Sequence, residues 1–444
     1  MSRSPLLASA ENEEVAEGDS GLEATSFAPI EDYSPLGYNV GLFNATLLNT
    51  SAIIGTGIFS TSSFILSSLG SVGMLLSMYV LAPLVTCAGL MIYVELASMC
   101  GHKRSGAEVV YLEQAYPKPR YLVSIAFAIT TVLSGYTGIG ATVFARHVIQ
   151  AFDLEYTPFK QRAIAISMLS SVIAVCLLSS KWALRLNNIV TFFKVGSLVM
   201  FSLTGLACML GWISTPNSGN LKDPFSGSKF EGNAFATSFA KANFSYIGWN
   251  TVLSLMAEVK GRDPIRTARR AGFLSVLIAS VLYMTTILAF VVVMTKEEML
   301  DAREVLGAKF LRKVYGDAMA DKLFLIIIGM STFGGSIAGV RAIGLNVLAR
   351  VELMGFIIQT MSYARMLREV GRQGILPFGT FWGRVSRFKT PYGPILLKFG
   401  LSLTILTLTP ANDAFAFLVD LSAYPGMVRV SYTLLSRLLI LWVD

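Results

Sequence analysis

Apolar residues fall into long runs along this chain, separated by short polar connectors. A helix that crosses a bilayer needs about 20 such residues. The pattern predicts ten spans, over 39–68, 72–98, 121–150, 163–180, 188–213, 237–257, 271–295, 323–362, 393–410 and 412–441. The eighth is too long for one helix. Within it, Val340–Met354 carries Arg341, Arg350 and Glu352, and each charge inside a span costs about 2.5–3.5 kcal/mol on insertion scales. The expected fold class is therefore an all-α polytopic membrane protein, with residues 37–444 as a transmembrane domain. Residues 1–36 are polar, and eight acidic residues there (Glu11, Glu13, Glu14, Glu17, Asp19, Glu23, Glu31 and Asp32) oppose a single Arg3. That composition predicts a disordered acidic tail on the cytoplasmic side.

Two spans are interrupted. The first contains Ile53-Ile54-Gly55-Thr56-Gly57-Ile58-Phe59. Each glycine costs a helix about 1 kcal/mol relative to alanine, and a freed backbone group in lipid finds no water. Such a break is tolerated where opened backbone lines a cavity. The sixth span contains Asn243-Phe244-Ser245-Tyr246-Ile247-Gly248-Trp249-Asn250-Thr251, polar and aromatic at mid-membrane. Breaks five spans apart are what a five-plus-five inverted repeat produces. The N–H groups of Gly55, Thr56 and Gly57 would face an anion. Carbonyls near Phe244, Ser245 and Tyr246 would face a cation. A carboxylate and an ammonium together describe an α-amino acid. Close packing of glycines against a neighbouring helix is the competing reading.

Charge fixes the orientation. Lys and Arg concentrate in alternate connectors, after spans two, four, six and eight, which places those loops and both ends of the domain in the cytoplasm. The net charge of +8 is thereby topological and predicts no nucleic-acid partner. Charged residues make up 14% of the chain, against about a quarter in soluble proteins. The longest stretch outside the membrane besides the tail, about 25 residues, is too short for a core, so no soluble catalytic domain is expected. Four scattered cysteines and two histidines support neither a metal site nor a haem; no cofactor is expected.

Three charges remain inside or beside spans. Lys194 lies within span five, where a buried ammonium needs a partner or a cavity. Placed near the first break, it would stand where a sodium ion sits in related architectures and would make transport sodium-independent. Glu95, near the inner end of span two, and Glu258, at the inner end of span six, are expected as gating or structural residues.

These residues carry a resemblance. Gly55-Thr56-Gly57-Ile58-Phe59 resembles the first-span signature of the amino acid–polyamine–organocation superfamily. Tyr246-Ile247-Gly248-Trp249-Asn250 through Glu258 to Asp263-Pro264-Ile265-Arg266 resembles its sixth span and following loop. Glu95-Leu96, Ser105-Gly106-Ala107-Glu108 and Tyr111 are similar to its second-span exit, and Arg365 to Pro377 with Thr390-Pro391 to its loop after span eight. Gly-Trp-Asn and Lys194 point to the L-type branch, which includes fungal methionine permeases. The resemblance implies a leucine-transporter-like fold. It implies a permease of the plasma membrane for neutral, hydrophobic or sulfur-containing L-amino acids, working by alternating access. Substrate contacts are then expected at Ile54, Gly55, Thr56, Gly57, Phe244, Ser245, Tyr246, Gly248, Trp249 and Asn250, with Lys194 coupling and Glu95 and Glu258 gating. Tyr246, Trp249 and Phe244 would close the pocket from outside. Ile247 stands where L-type members tend to have a small residue, which would trim that pocket. The family usually has twelve spans, so ten imply a truncated chain, and Val340–Met354 and the end beyond Gly426 depart from its pattern. A non-transporting amino-acid receptor and an inactive truncated permease are the alternatives. A partner subunit is left open.

Overall fold

The computed structural model describes residues 34, 37–55, 57–100, 106–116, 155–178, 180–213, 218–302, 306–316, 360–373, 376 and 378–408, with isolated positions between 125 and 149. The expectations for residues 1–33, Thr56, Val340–Met354, the tenth span and most of the third lie outside these residues.

The first predicted span folds as two helices, α1 (Leu42–Ile53) and α2 (Gly57–Leu69). Next come α3 (Val72–Cys100), α4 (Glu108–Ala115), α5 (Pro158–Leu178) and α6 (Ser180–Met209). The sixth predicted span also divides, into α7 (Gly232–Phe244), a turn over 245–250, α8 (Thr251–Ser254) and one 3-10 turn, Met256–Glu258. Then follow α9 (Pro264–Val293), the short α10 (Lys296–Ala302) and α11 (Leu306–Tyr315), α12 (Gly379–Gly383) and α13 (Tyr392–Leu408). Among the described residues, four single helices are long and apolar enough to cross a membrane, Val72–Cys100, Pro158–Leu178, Asn187–Met209 and Pro264–Val293, and Leu42–Phe59 meets the same length and hydropathy across the first break. The chain is an all-α polytopic membrane protein.

Several boundaries differ from the apolar runs for one reason. A helix that projects past the bilayer carries polar turns that hydropathy does not count. Thus α9 starts at Pro264, seven residues before the predicted 271, with Arg266, Arg269 and Arg270 in its first turns. Its cap is local: the Asp263 carboxylate accepts from the Arg266 N–H at 2.9 Å, and Pro264 supplies a preset φ at the first position. The stretch after span two, expected as loop, holds the buried helix α4. Arg365, expected in the connector after span eight, is instead helical and buried within 360–372.

Helix α9 is the centre of the packing, against α6, α3 and α1. Burial divides into two apolar cores. One gathers Leu90, Tyr93 and Ala97 from the second half of α3 with α1, α5 and the residues after the second break. The other gathers Leu75, Tyr79 and Ala82 from its first half with α2, α7, α9 and α11. Trp249 packs against both. Each broken helix thus contributes one half to each core, which places the breaks at the seam.

Candidate functional site

Both predicted breaks are present. At the first, Ile54 leaves the helix with φ −73° and ψ 100°, its N–H still bonded to the Thr50 carbonyl at 2.9 Å. Among the described residues, a Cβ placed on Gly55 would meet nothing within 4 Å, so they leave open space beside this backbone. A Cβ on Gly57 would come 3.0 Å from the Ser245 Cα, so here the two broken helices touch. At the second break, Gly248 has φ +108°, a region L side chains rarely adopt, and a Cβ would strike Ala52 on α1. The glycines at 57 and 248 therefore serve close approach as well as unwinding. The close-packing reading weighed from sequence holds at Gly57.

The span-six residues divide by environment. Ser245 and Tyr246 are buried, and Phe244, Gly248, Trp249 and Asn250 are half-buried. The Phe244 carbonyl accepts from the Ile247 N–H at 3.2 Å. Tyr246 packs its ring 5.3 Å from that of Tyr283. Trp249 lies edge-on to Tyr93 at 4.8 Å and against Gly89. Ile247 is 53% exposed.

Residues not singled out from sequence join the two breaks. The buried Tyr283 hydroxyl on α9 lies 2.8 Å from the Ile53 carbonyl and 3.1 Å from the Ser245 carbonyl. One hydroxyl proton serves one carbonyl at a time. Asn49 on α1 spends its whole amide on the second break. Its Nδ2 donates to the Trp249 carbonyl at 2.8 Å, and its Oδ1 accepts from the Val252 N–H at 2.9 Å. The Ser245 hydroxyl meets Thr61 at 2.9 Å, and Thr61 meets Tyr79 at 3.0 Å. At the inner end, the Val40 N–H donates to the Glu258 carbonyl at 3.1 Å and the Lys260 N–H to the Val40 carbonyl at 2.9 Å.

Lys194 on α6 lies beside the end of α1. Its Nζ is buried and donates to the Ser51 carbonyl at 2.8 Å, in the last turn of α1. It is the last of three polar residues on one face of α6. Asn188 donates to the Asn44 side chain at 2.9 Å, and Thr191 approaches the Leu47 carbonyl at 3.3 Å. The spacing 188, 191, 194 was the available signal for a polar face turned toward α1.

Of the two expected gating residues, Glu258 is fully buried and holds Arg365 by two bonds, from Nε at 2.7 Å and from the second guanidinium nitrogen at 3.3 Å. The pair ties the inner end of span six to helical residues 360–372. Glu95 is half-buried near the inner end of α3. Among the described residues no group of His, Cys, Asp and Glu is arranged to hold a metal.

The comparisons with known proteins agree with this architecture. The chain is similar to the high-affinity methionine permease of Saccharomyces cerevisiae, 27% identical over 396 residues, which cover 87% of this chain and 63% of that protein. It is 26% identical over 399 residues to the low-affinity methionine permease of the same yeast, covering 88% of this chain and 68% of that one. The large neutral amino acids transporter small subunit 2 of Mus musculus is 27% identical over 309 residues, 67% of this chain and 55% of that protein. This chain thus spans less than two thirds of the length of the first and third of these relatives. The family model for amino acid permeases matches residues 40–444, and the chain belongs to that family.

Proposed function

We propose that this chain is a secondary transporter for neutral, hydrophobic or sulfur-containing L-amino acids, methionine among them, and that it acts by alternating access in the plasma membrane. The observation that carries this reading is the meeting of two broken helices at the seam between two cores, with open space beside Gly55 among the described residues. Backbone at such a point has polar groups to offer and little water to offer them to. The substrate carboxylate goes to the Gly55–Gly57 segment and its ammonium to the carbonyls around Ser245. The methionine permeases among its relatives, and Trp249 at the seam between the two cores, favour an apolar or thioether side chain.

Sodium independence rests on Lys194. Its ammonium already occupies the Ser51 carbonyl beside the break, one of the positions from which unwound helices coordinate sodium in related architectures. The five-plus-five inverted repeat, the tail as a separate segment, and the absence of a catalytic role belong to the same reading. The Glu258–Arg365 pair closes the inner side.

The test is uptake of labelled methionine and leucine into cells lacking their own permeases, with sodium replaced by choline. Saturable uptake in both media is expected. Uptake that vanishes in choline would remove the role given to Lys194. Saturable binding to the purified protein without uptake would replace the transporter by a receptor.

A further inference from the structure

Asn250 occupies the N-cap position of α8, yet its side chain makes no capping hydrogen bond. Asparagine there ordinarily accepts from the second or third N–H of its own helix. Here Asn49, from another helix, accepts from the Val252 N–H instead. The Asn250 amide is released to point elsewhere, and its Nδ2 donates to Oε1 of Glu108 at 2.8 Å.

Glu108 is the first residue of α4, on the stretch that follows span two, and is 6% exposed. The same Oε1 accepts from the Tyr93 hydroxyl at 3.3 Å. Tyr93 in turn carries the edge contact to Trp249 at 4.8 Å. One carboxylate oxygen thus holds Asn250 directly and supports the ring beside Trp249. The backbone is tied at the same place, since the Gly106 N–H donates to the Ser254 carbonyl at 3.0 Å.

The geometry points to Glu108 as the positioning residue for the Asn250–Trp249 corner of the binding site. It acts through those two residues rather than on substrate. This inference rests on the functional reading above, which puts Trp249 beside the substrate side chain, and on the substrate contact that the resemblance implies for Asn250. A bond from an amide to a carboxylate is roughly twice as strong as a neutral one. It is oriented as well, because the amide nitrogen can only donate and the carboxylate oxygen it meets accepts. The amide nitrogen of Asn250 is therefore directed at Glu108.

The test exchanges the two roles in near-isosteric steps. Asn250→Asp sets two carboxylates against each other. Adding Glu108→Gln restores one donor and one acceptor with their places swapped. The methionine KM, with uptake normalised to protein at the cell surface, should rise about tenfold or more in Asn250→Asp and recover most of that loss in the double variant. An unchanged KM in Asn250→Asp overturns the proposal, because Glu108 then does not constrain Asn250. A raised KM with no recovery also overturns it, because the Asn250 amide then matters for itself. Recovery of surface level without recovery of KM counts against it too, as the mark of a purely structural bond. If the parent chain shows no uptake, the transport reading fails. The same three proteins, purified, are then compared by methionine Kd, with the same outcomes deciding for or against Glu108.

Discussion

Gly248→Ala is the substitution for which the structure supplies a magnitude. The added Cβ would lie 2.6 Å from the Ala52 Cβ, 2.8 Å from its carbonyl carbon and 2.9 Å from its carbonyl oxygen. Two of these atoms are α1 backbone, so relief requires moving one broken helix away from the other. Over-packing of this kind costs about 1–3 kcal/mol. A residue other than glycine in a sparsely populated backbone region costs about 1–3 kcal/mol more. The sum, about 2–6 kcal/mol, falls where single substitutions unfold marginal proteins. The companion is Gly55→Ala, whose Cβ meets nothing within 4 Å and whose backbone is not left-handed. It should leave stability within about 0.5 kcal/mol of the parent while raising the methionine KM, because the methyl enters the space assigned to substrate. Thermal unfolding of the detergent-solubilised protein, followed by loss of the monodisperse peak, gives the first quantity, and uptake gives the second. If Gly248→Ala melts with the parent, the close approach of the two breaks is wrong. If Gly55→Ala transports with parental KM, the open space beside it is not the substrate's.

The remaining predictions concern polar contacts. Arg365→Met alone strands a buried carboxylate and should destabilise the protein by about 3–5 kcal/mol, whereas adding Glu258→Leu should regain much of the loss. A melt of the double variant no better than the single would deny that the two residues form a pair. Asn49→Leu leaves the Trp249 carbonyl and the Val252 N–H unsatisfied, at about 1–3 kcal/mol each, and Asn49→Asp should lose less because the acceptor to Val252 is kept. Comparing the two melts checks this order. Lys194→Met should cut methionine uptake with surface level maintained, and parental uptake would dismiss the contact with Ser51. Outside the membrane, the hydrogen bond from Lys313 holds the Glu298 carboxyl below its ordinary 4.5. Because the folded value lies under the unfolded one, that contribution is present above about pH 4.5 and fades as pH falls through the folded value. Hydrogen exchange in α10 and α11 should therefore quicken in acid, and less so in Lys313→Met.

Both breaks were legible in the sequence, because a bilayer makes glycine and polar residues in an apolar run conspicuous. Lys194 was legible for the same reason. The connections across the seam were not. Asn49 sits in an ordinary apolar helix, and its partners are 200 and 203 residues away. Tyr283 sits in the strongly apolar span Pro264–Val293, where a lone hydroxyl looks like packing. Helix α4 is eight residues long, too short for a periodic signal, and its burial depends on α3 and on residues 360–373. Arg365 reads as a topological charge until the fold supplies Glu258. In each case the missing information is a partner distant in sequence, which local pattern cannot name.

The bonds between α1 and the end of span six have a mechanical meaning. Two ties join these segments, one at Val40 with Glu258 and Lys260, the other at Asn49 with Trp249 and Val252. Bodies joined at one point swivel freely, and bodies joined at two points retain a single hinge rotation about the line between them. With Gly248 also set against Ala52 between them, the two segments move as one unit. A displacement of the chain at Val40 is therefore passed directly to the end of span six.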